Sequence, residues 1–168
     1  GVCIYDFIGH KVVQWKLVTL VKNGGSYHPY RNVEYIHDFV DDFRDYFNNA
    51  FAVLIERQMR CNMRIIESVL QSMFYNIVIV LNPRHVKMHY DLGTRNYRNN
   101  KARAVEWAQM FLDENTSLVD EHAHRVWKSS KKKDDLADSL IMVMYYLDTY
   151  SNHNADCQDD PSDGELQG

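Results

Sequence analysis

A chain of 168 residues, 45% of them hydrophobic and with a formal net charge of -4, suits a single domain with one core, large enough to need neither disulfides nor a structural metal for stability. Its longest uninterrupted apolar run, Leu140 to Leu147, falls far short of the roughly 20 residues that span a bilayer. No signal peptide is visible, and the chain opens on Gly1 rather than Met, so it is read as a fragment. Cys3, Cys61 and Cys157 are odd in number and widely spaced, the mark of passive, reduced thiols in an intracellular protein rather than of a disulfide framework.

Taken in order, Val2 to Ile8 is β-rich, Gly9-His10 is a turn signal, and Lys11 to Val21 is again rich in β-branched and aromatic residues. This predicts a β-hairpin. After Asn23-Gly24-Gly25-Ser26 and Pro29, the residues Val33, Ile36, Phe39, Val40, Phe43 and Phe47 recur at three- and four-residue spacing, which predicts one amphipathic helix. Phe51 to Ile55 is an apolar run without alternation, as expected of a strand covered on both faces, and it ends at Glu56-Arg57-Gln58. A second helix, with Met63, Ile66, Leu70, Met73 and Phe74 on one stripe, leads to a second buried strand, Ile77 to Leu81, terminated by Asn82-Pro83. Strand, helix, strand implies a parallel crossover.

From Arg84 to Asn100 the hydrophobic period disappears, and the stretch reads as a long loop carrying basic and aromatic residues. Val105, Ala108, Phe111 and Leu112 mark a third helix, a further irregular stretch follows, and a last helix runs from about Asp134 to Tyr150. Between Arg84 and Lys133 there are eleven Lys/Arg against six Asp/Glu, whereas Ser151 to Gly168 carries five carboxylates and no Lys or Arg. The centre is therefore the candidate polyanion-facing surface, the alternative being an ordinary solvated one. Residues 1–150 form the expected domain and 151–168 an acidic, disordered tail.

Three carboxylates stand out. Glu56 follows Ala52-Val53-Leu54-Ile55 directly, at a strand exit, where open α/β sheets place ligands; pairing with a nearby Arg is the plainer role. In Lys131-Lys132-Lys133-Asp134-Asp135-Leu136-Ala137-Asp138-Ser139, Asp135 and Asp138 are three apart and share one helix face. Asp134 or Asp135 suits a helix cap, but Asp138 lies beyond the cap in an apolar helix, where an unpaired carboxylate costs several kcal/mol, about 3–5. A metal or a buried Lys/Arg offsets that cost. Carboxylates suit Mg²⁺ or Mn²⁺, and two such ions about 4 Å apart can activate the water and stabilise the leaving oxygen of a phosphodiester. No Gly-rich phosphate loop or nucleophile elbow occurs.

Glu56-Arg57-Gln58 and Lys133-Asp134-Asp135-Leu136-Ala137-Asp138-Ser139 together resemble the poxvirus-type Holliday junction resolvases, which stand with the bacterial RuvC and fungal mitochondrial resolvases in the RNase H-like superfamily. Asn82-Pro83, Tyr97-Arg98 and Lys101 lie in matching order, and the resemblance spans about residues 1–148. It implies an RNase H-like α/β fold, a mixed central sheet flanked by helices, and a homodimer that nicks four-way DNA junctions in pairs during recombination. It also implies a four-carboxylate site holding two Mg²⁺ ions. Glu56, Asp135 and Asp138 match three of the four, and Arg57, Gln58, Lys101, Lys132 and Lys133 are the candidate DNA contacts. The fourth carboxylate, an Asp on a first strand, falls upstream of Gly1, with Asp6 in Asp6-Phe7-Ile8-Gly9 as the rival. A large DNA virus is the implied source. A nuclease for flaps or RNA/DNA hybrids and a non-catalytic nucleic-acid-binding module are the alternatives.

Overall fold

The computed structural model describes residues 1–156, with side chains described up to Thr149 apart from those of Asn23 and Tyr97. The predicted hairpin forms as β1 (Val2–Asp6) and β2 (Lys11–Lys16), antiparallel, with an irregularity between Ile4 and Tyr5. Asp6 closes its turn. The Asp6 Oδ1 accepts the backbone N–H of Ile8 and of Gly9, each at 3.0 Å, the local bonding that favours Asp in turns.

The helix expected over 33–47 is broken into α1 (Asn32–Asp42) and α2 (Arg44–Asn48) at Phe43. Phe43 leaves helical geometry at φ -120°, ψ 20°; its buried ring packs 5.1 Å from Phe39 and beneath the Lys16 ammonium. The buried arc of α1 runs through Asn32, Tyr35 and Ile36, which turns Val33 outward to 51% exposure.

The crossover is as expected. β3 (Val53–Glu56), α3 (Cys61–Met73) and β4 (Val78–Leu81) place the two strands parallel, from Val53 opposite Val78 to Glu56 opposite Leu81. Coverage is thinner than the apolar runs suggest: Phe51 falls outside the strand at 65% exposure, and no residue of α3 is fully buried.

Two stretches read as irregular are helical. In α4 (Pro83–His89), Asn82 caps the helix by accepting the Arg84 N–H at 3.0 Å, and Pro83 occupies the first turn, where its missing N–H is harmless. Only Val86 of α4 is buried, so a three-to-four-residue period had nothing to repeat on. After α5 (Tyr97–Glu114), Asp120 likewise caps α6 (Glu121–Ser129) through the Ala123 N–H at 2.8 Å, and Ala123 and Trp127, four apart, are buried.

The last helix, α7 (Lys133–Asp156), runs past Tyr150; residues 157–168 of the acidic stretch lie outside the described residues. Leu136, Ala137, Leu140 and Ile141 are wholly inaccessible in a core shared with α5, α6 and β2. Trp15 stacks on Trp127 at 5.2 Å, and its Nε1 donates to the Leu136 carbonyl at 3.0 Å and to Ser139 Oγ at 3.2 Å. The start of α7 is therefore bolted to β2.

In place of one mixed sheet, the four strands make two separate pairs. The outer edge of β2 is met by a bridge between Val12 and Val119. Between β1 and β3 no ladder forms among the described residues. These two strands nevertheless lie side by side in opposite directions: Phe7, just past the end of β1, stacks 6.4 Å from Phe51, just before β3, while Gly1, at the start of β1, feels the charge of Glu56, at the end of β3. Among the described residues neither β1 nor β3 pairs with a second strand.

Candidate active site

Glu56 and Asp138 reach one small cavity of about 10 Å³, lined by Glu56, Pro83, Val86, Lys87, Asp138, Ile141 and Met142. That is room for about one water-sized occupant. Glu56 arrives as the last residue of β3, and Asp138 projects from the second turn of α7, whose position is fixed by the buried Leu136 and Ala137 that lie between Asp135 and Asp138 in the sequence. Asp135 lies one turn back. Its carbonyl passes so close to Gly1 that a Cβ there would stand 2.0 Å away, so β1 approaches α7 at a point where only glycine fits.

The electrostatics show how tightly these groups share one space. Burial raises the Glu56 pKa above its usual value and the Asp138 charge raises it further, while the Lys87 ammonium and the Gln58 amide pull it down. The Gly1 ammonium is lowered, by burial first, against the opposing pull of Asp135, Asp138 and Glu56. All three predicted carboxylates thus act on one point. Lys87 Nζ stands 3.2 Å from Asp138 Oδ1, yet off the direction a hydrogen bond requires, so this buried oxygen has a counter-charge and no hydrogen bond.

A hard divalent cation fits the donor chemistry: carboxylate oxygens only, one of them buried and unbonded. The set is nonetheless short of a complete cage, because among the described residues no three His, Cys, Asp or Glu side chains gather closely enough to hold a metal. Asp6 does not fill the gap. It sits in the hairpin turn at the far end of β1 from Gly1, five residues or about 17 Å along the strand.

The predicted nucleic-acid contacts are placed differently from one another. Arg57 and Lys132 are exposed. Gln58 is half-buried and turned inward, its Nε2 donating to the Glu56 carbonyl at 3.1 Å and its backbone N–H to Glu67 Oε2 at 2.6 Å. Lys101 pairs with Asp134 across α5 and α7, and this bond holds the Asp134 carboxyl below its usual pKa. Lys133 lies over the Trp127 ring, 5.3 Å from its centroid. The residue that the sequence does not single out is Lys87, because the lost hydrophobic period over Arg84 to Asn100 predicts a loop; the signal is Asn82-Pro83, a strand terminator that is also a cap followed by a first-turn proline.

Three comparisons bear on this arrangement. No curated protein sequence matches the chain. Among solved structures, the fowlpox virus Holliday junction resolvase is similar in fold, with a TM-score of 0.59, 22% identity and 88% of each chain covered. The fowlpox virus resolvase in complex with substrate Holliday junction DNA superposes at a TM-score of 0.56, with 20% identity over 88% of this chain and 87% of that one. A family profile described as "Poxvirus A22 protein" matches residues 12–149. That span contains Glu56 at the end of β3 and Asp135 and Asp138 near the start of α7, and the chain belongs to the Poxvirus A22 protein family.

Proposed function

We propose that this protein is a Holliday junction resolvase, a divalent-metal-dependent endonuclease that hydrolyses phosphodiester bonds at four-way DNA junctions. The observation that carries the reading is the meeting of Glu56 and Asp138 at one buried cavity, with Asp135 one turn away, in a fold similar to a junction resolvase. Glu56, Asp135 and Asp138 would hold Mg²⁺ or Mn²⁺, two ions in the complete site, and the metal would supply activation of a water nucleophile and charge stabilisation at the leaving oxygen. The apolar walls formed by Val86, Ile141 and Met142 limit the space beside Glu56 and Asp138 to about one water-sized occupant. Arg57 and Lys132, exposed beside the carboxylates, contact the DNA backbone; Gln58, Lys101 and Lys133 contribute to the same surface while also bracing Glu56, Asp134 and Trp127.

The fourth carboxylate comes on a strand seated between β1 and β3, antiparallel to the first and parallel to the second, which joins the two pairs into one mixed sheet of RNase H-like type. The unpaired facing edges support that placement. The domain of residues 1–150 works as a homodimer in the infected cell, two sites making paired nicks across a two-fold junction.

The test uses labelled four-way junctions, flaps and RNA/DNA hybrids, on the chain extended before Gly1 by an Asp-bearing strand. Symmetric, Mg²⁺-dependent nicks on junctions are expected. Glu56→Gln or Asp138→Asn lowers the cleavage rate by at least about 10²-fold, as loss of several kcal/mol of metal-borne stabilisation requires, while junction binding survives. Undiminished cleavage in either variant sinks the assignment, and cleavage by residues 1–168 alone that Asp6→Asn abolishes sinks the added strand.

A further inference from the structure

We propose that Lys87 is the resident counter-ion of the Glu56–Asp138 pair, holding Asp138 when no metal is bound and competing with the divalent cation for its buried Oδ1. The proposal rests on the reading of these two carboxylates as metal ligands.

Two carboxylates face a cavity with space for about one water. Neither bulk solvent nor a hydrogen bond compensates Asp138 Oδ1, and the cation within reach is the Lys87 ammonium at 3.2 Å, on a side chain 16% exposed. An ammonium and a divalent ion need the same thing from that oxygen, so one excludes the other at close range.

Lys87 is also held from behind. Val86 beside it is buried in the core. At the other end of α4, the Tyr90 hydroxyl donates to Asp148 Oδ2 at 2.6 Å, and the His89 ring lies 5.2 Å edge-on from Tyr145. Helix α4 is thus held at its middle and at its C-terminal end, and the lysine stem has a fixed base from which only its far end can swing. Surface lysines that pair in passing lack such a base. The off-axis approach to Oδ1 fits an ammonium placed for charge rather than for a directed bond.

The measurements are thermal melts in chelator and Mn²⁺ titration followed by electron paramagnetic resonance, on the wild-type chain, Lys87→Met, Lys87→Arg, and Asp138→Asn with and without Lys87→Met. Without metal, Lys87→Met lowers the melting temperature in the wild-type background but hardly moves it in the Asp138→Asn background. With Mn²⁺, Lys87→Met binds roughly tenfold more tightly than wild type, the repulsion of a cation at close range having gone, whereas Lys87→Arg, which keeps the charge, gains nothing. Unchanged or weaker Mn²⁺ binding by Lys87→Met, while the wild type binds and Asp138→Asn does not, overturns the counter-ion role and leaves the metal site standing. Mn²⁺ binding insensitive to Asp138→Asn, or no Mn²⁺ binding by wild type and Lys87→Met alike, overturns both.

Discussion

The two walls of the candidate site are built to different standards. The α7 wall, which carries Asp135 and Asp138, is core on its other face: Leu136, Ala137, Leu140 and Ile141 are inaccessible, and Trp15 and Trp127 stack behind them. The β3 wall, which carries Glu56, is a four-residue strand with one hydrogen-bonded neighbour, covered by α3, a helix with no fully buried residue. The contrast teaches which half is preformed. Asp135 and Asp138 are positioned by packing, while Glu56 is positioned by a strand whose second edge still has room for a partner.

The largest expected effect tests that contrast directly. Trp127→Ala removes a fully buried ring from the α7 side and should cost about 3–5 kcal/mol in urea unfolding. Ile66→Ala, on the half-buried face of α3, should cost about 1 kcal/mol, the ordinary effect of a substitution outside the core. Equal losses would mean that α3 is as well packed as α7 and that the contrast is false.

Much of this was legible in the sequence, and the failures share one cause. The hairpin, the parallel crossover and the helical pairing of Asp135 with Asp138 follow from turn residues, apolar runs and three-residue spacing, all local signals. α4 and α6 each bury only one or two side chains, Val86 in one and Ala123 with Trp127 in the other, too few for a repeating stripe; their caps, Asn82 and Asp120, were the readable mark. Phe43 and Val33 were misplaced because spacing within one helix cannot foresee the kink that lets Phe43 pack beneath Lys16. At the site, Glu56 and Asp138 were found from chemistry and chain position. Lys87 was not, because its role exists only once α4 lies along α7.

The next effect is one of sign. Burial and the neighbouring Asp138 raise the Glu56 pKa above 4.5, so the folded state holds its proton more tightly than the unfolded chain does. Its ionisation therefore opposes folding: the penalty is absent below about pH 4.5, the unfolded value, and grows as pH rises through the folded value. In chelator, Glu56→Gln should melt above wild type at pH 7 and level with it at pH 4, even though the same change is expected to lower cleavage. A variant that melts below wild type at pH 7 would show that the β3 wall needs this carboxylate for its own stability, which would remove the asymmetry between the two walls.

The smallest effect belongs to the α7 wall. Asp134 is hydrogen-bonded to Lys101, which lowers its pKa from the ordinary 3.8. Here the sign is the opposite one: the folded state holds the proton less tightly, so the bond stabilises above the unfolded pKa and is lost as pH falls through the folded value. Both side chains are partly exposed, and an ion pair of that kind contributes under about 1 kcal/mol. Lys101→Met should therefore melt slightly below wild type from pH 5 upward, with the gap closing as pH drops below about 3.8. Because Trp15 and Trp127 already fix the start of α7, the loss should stop there. A larger drop, shared by Asp138→Asn, would mean that charge rather than packing sets this wall, and that both halves of the site depend on their ion pairs to the same degree.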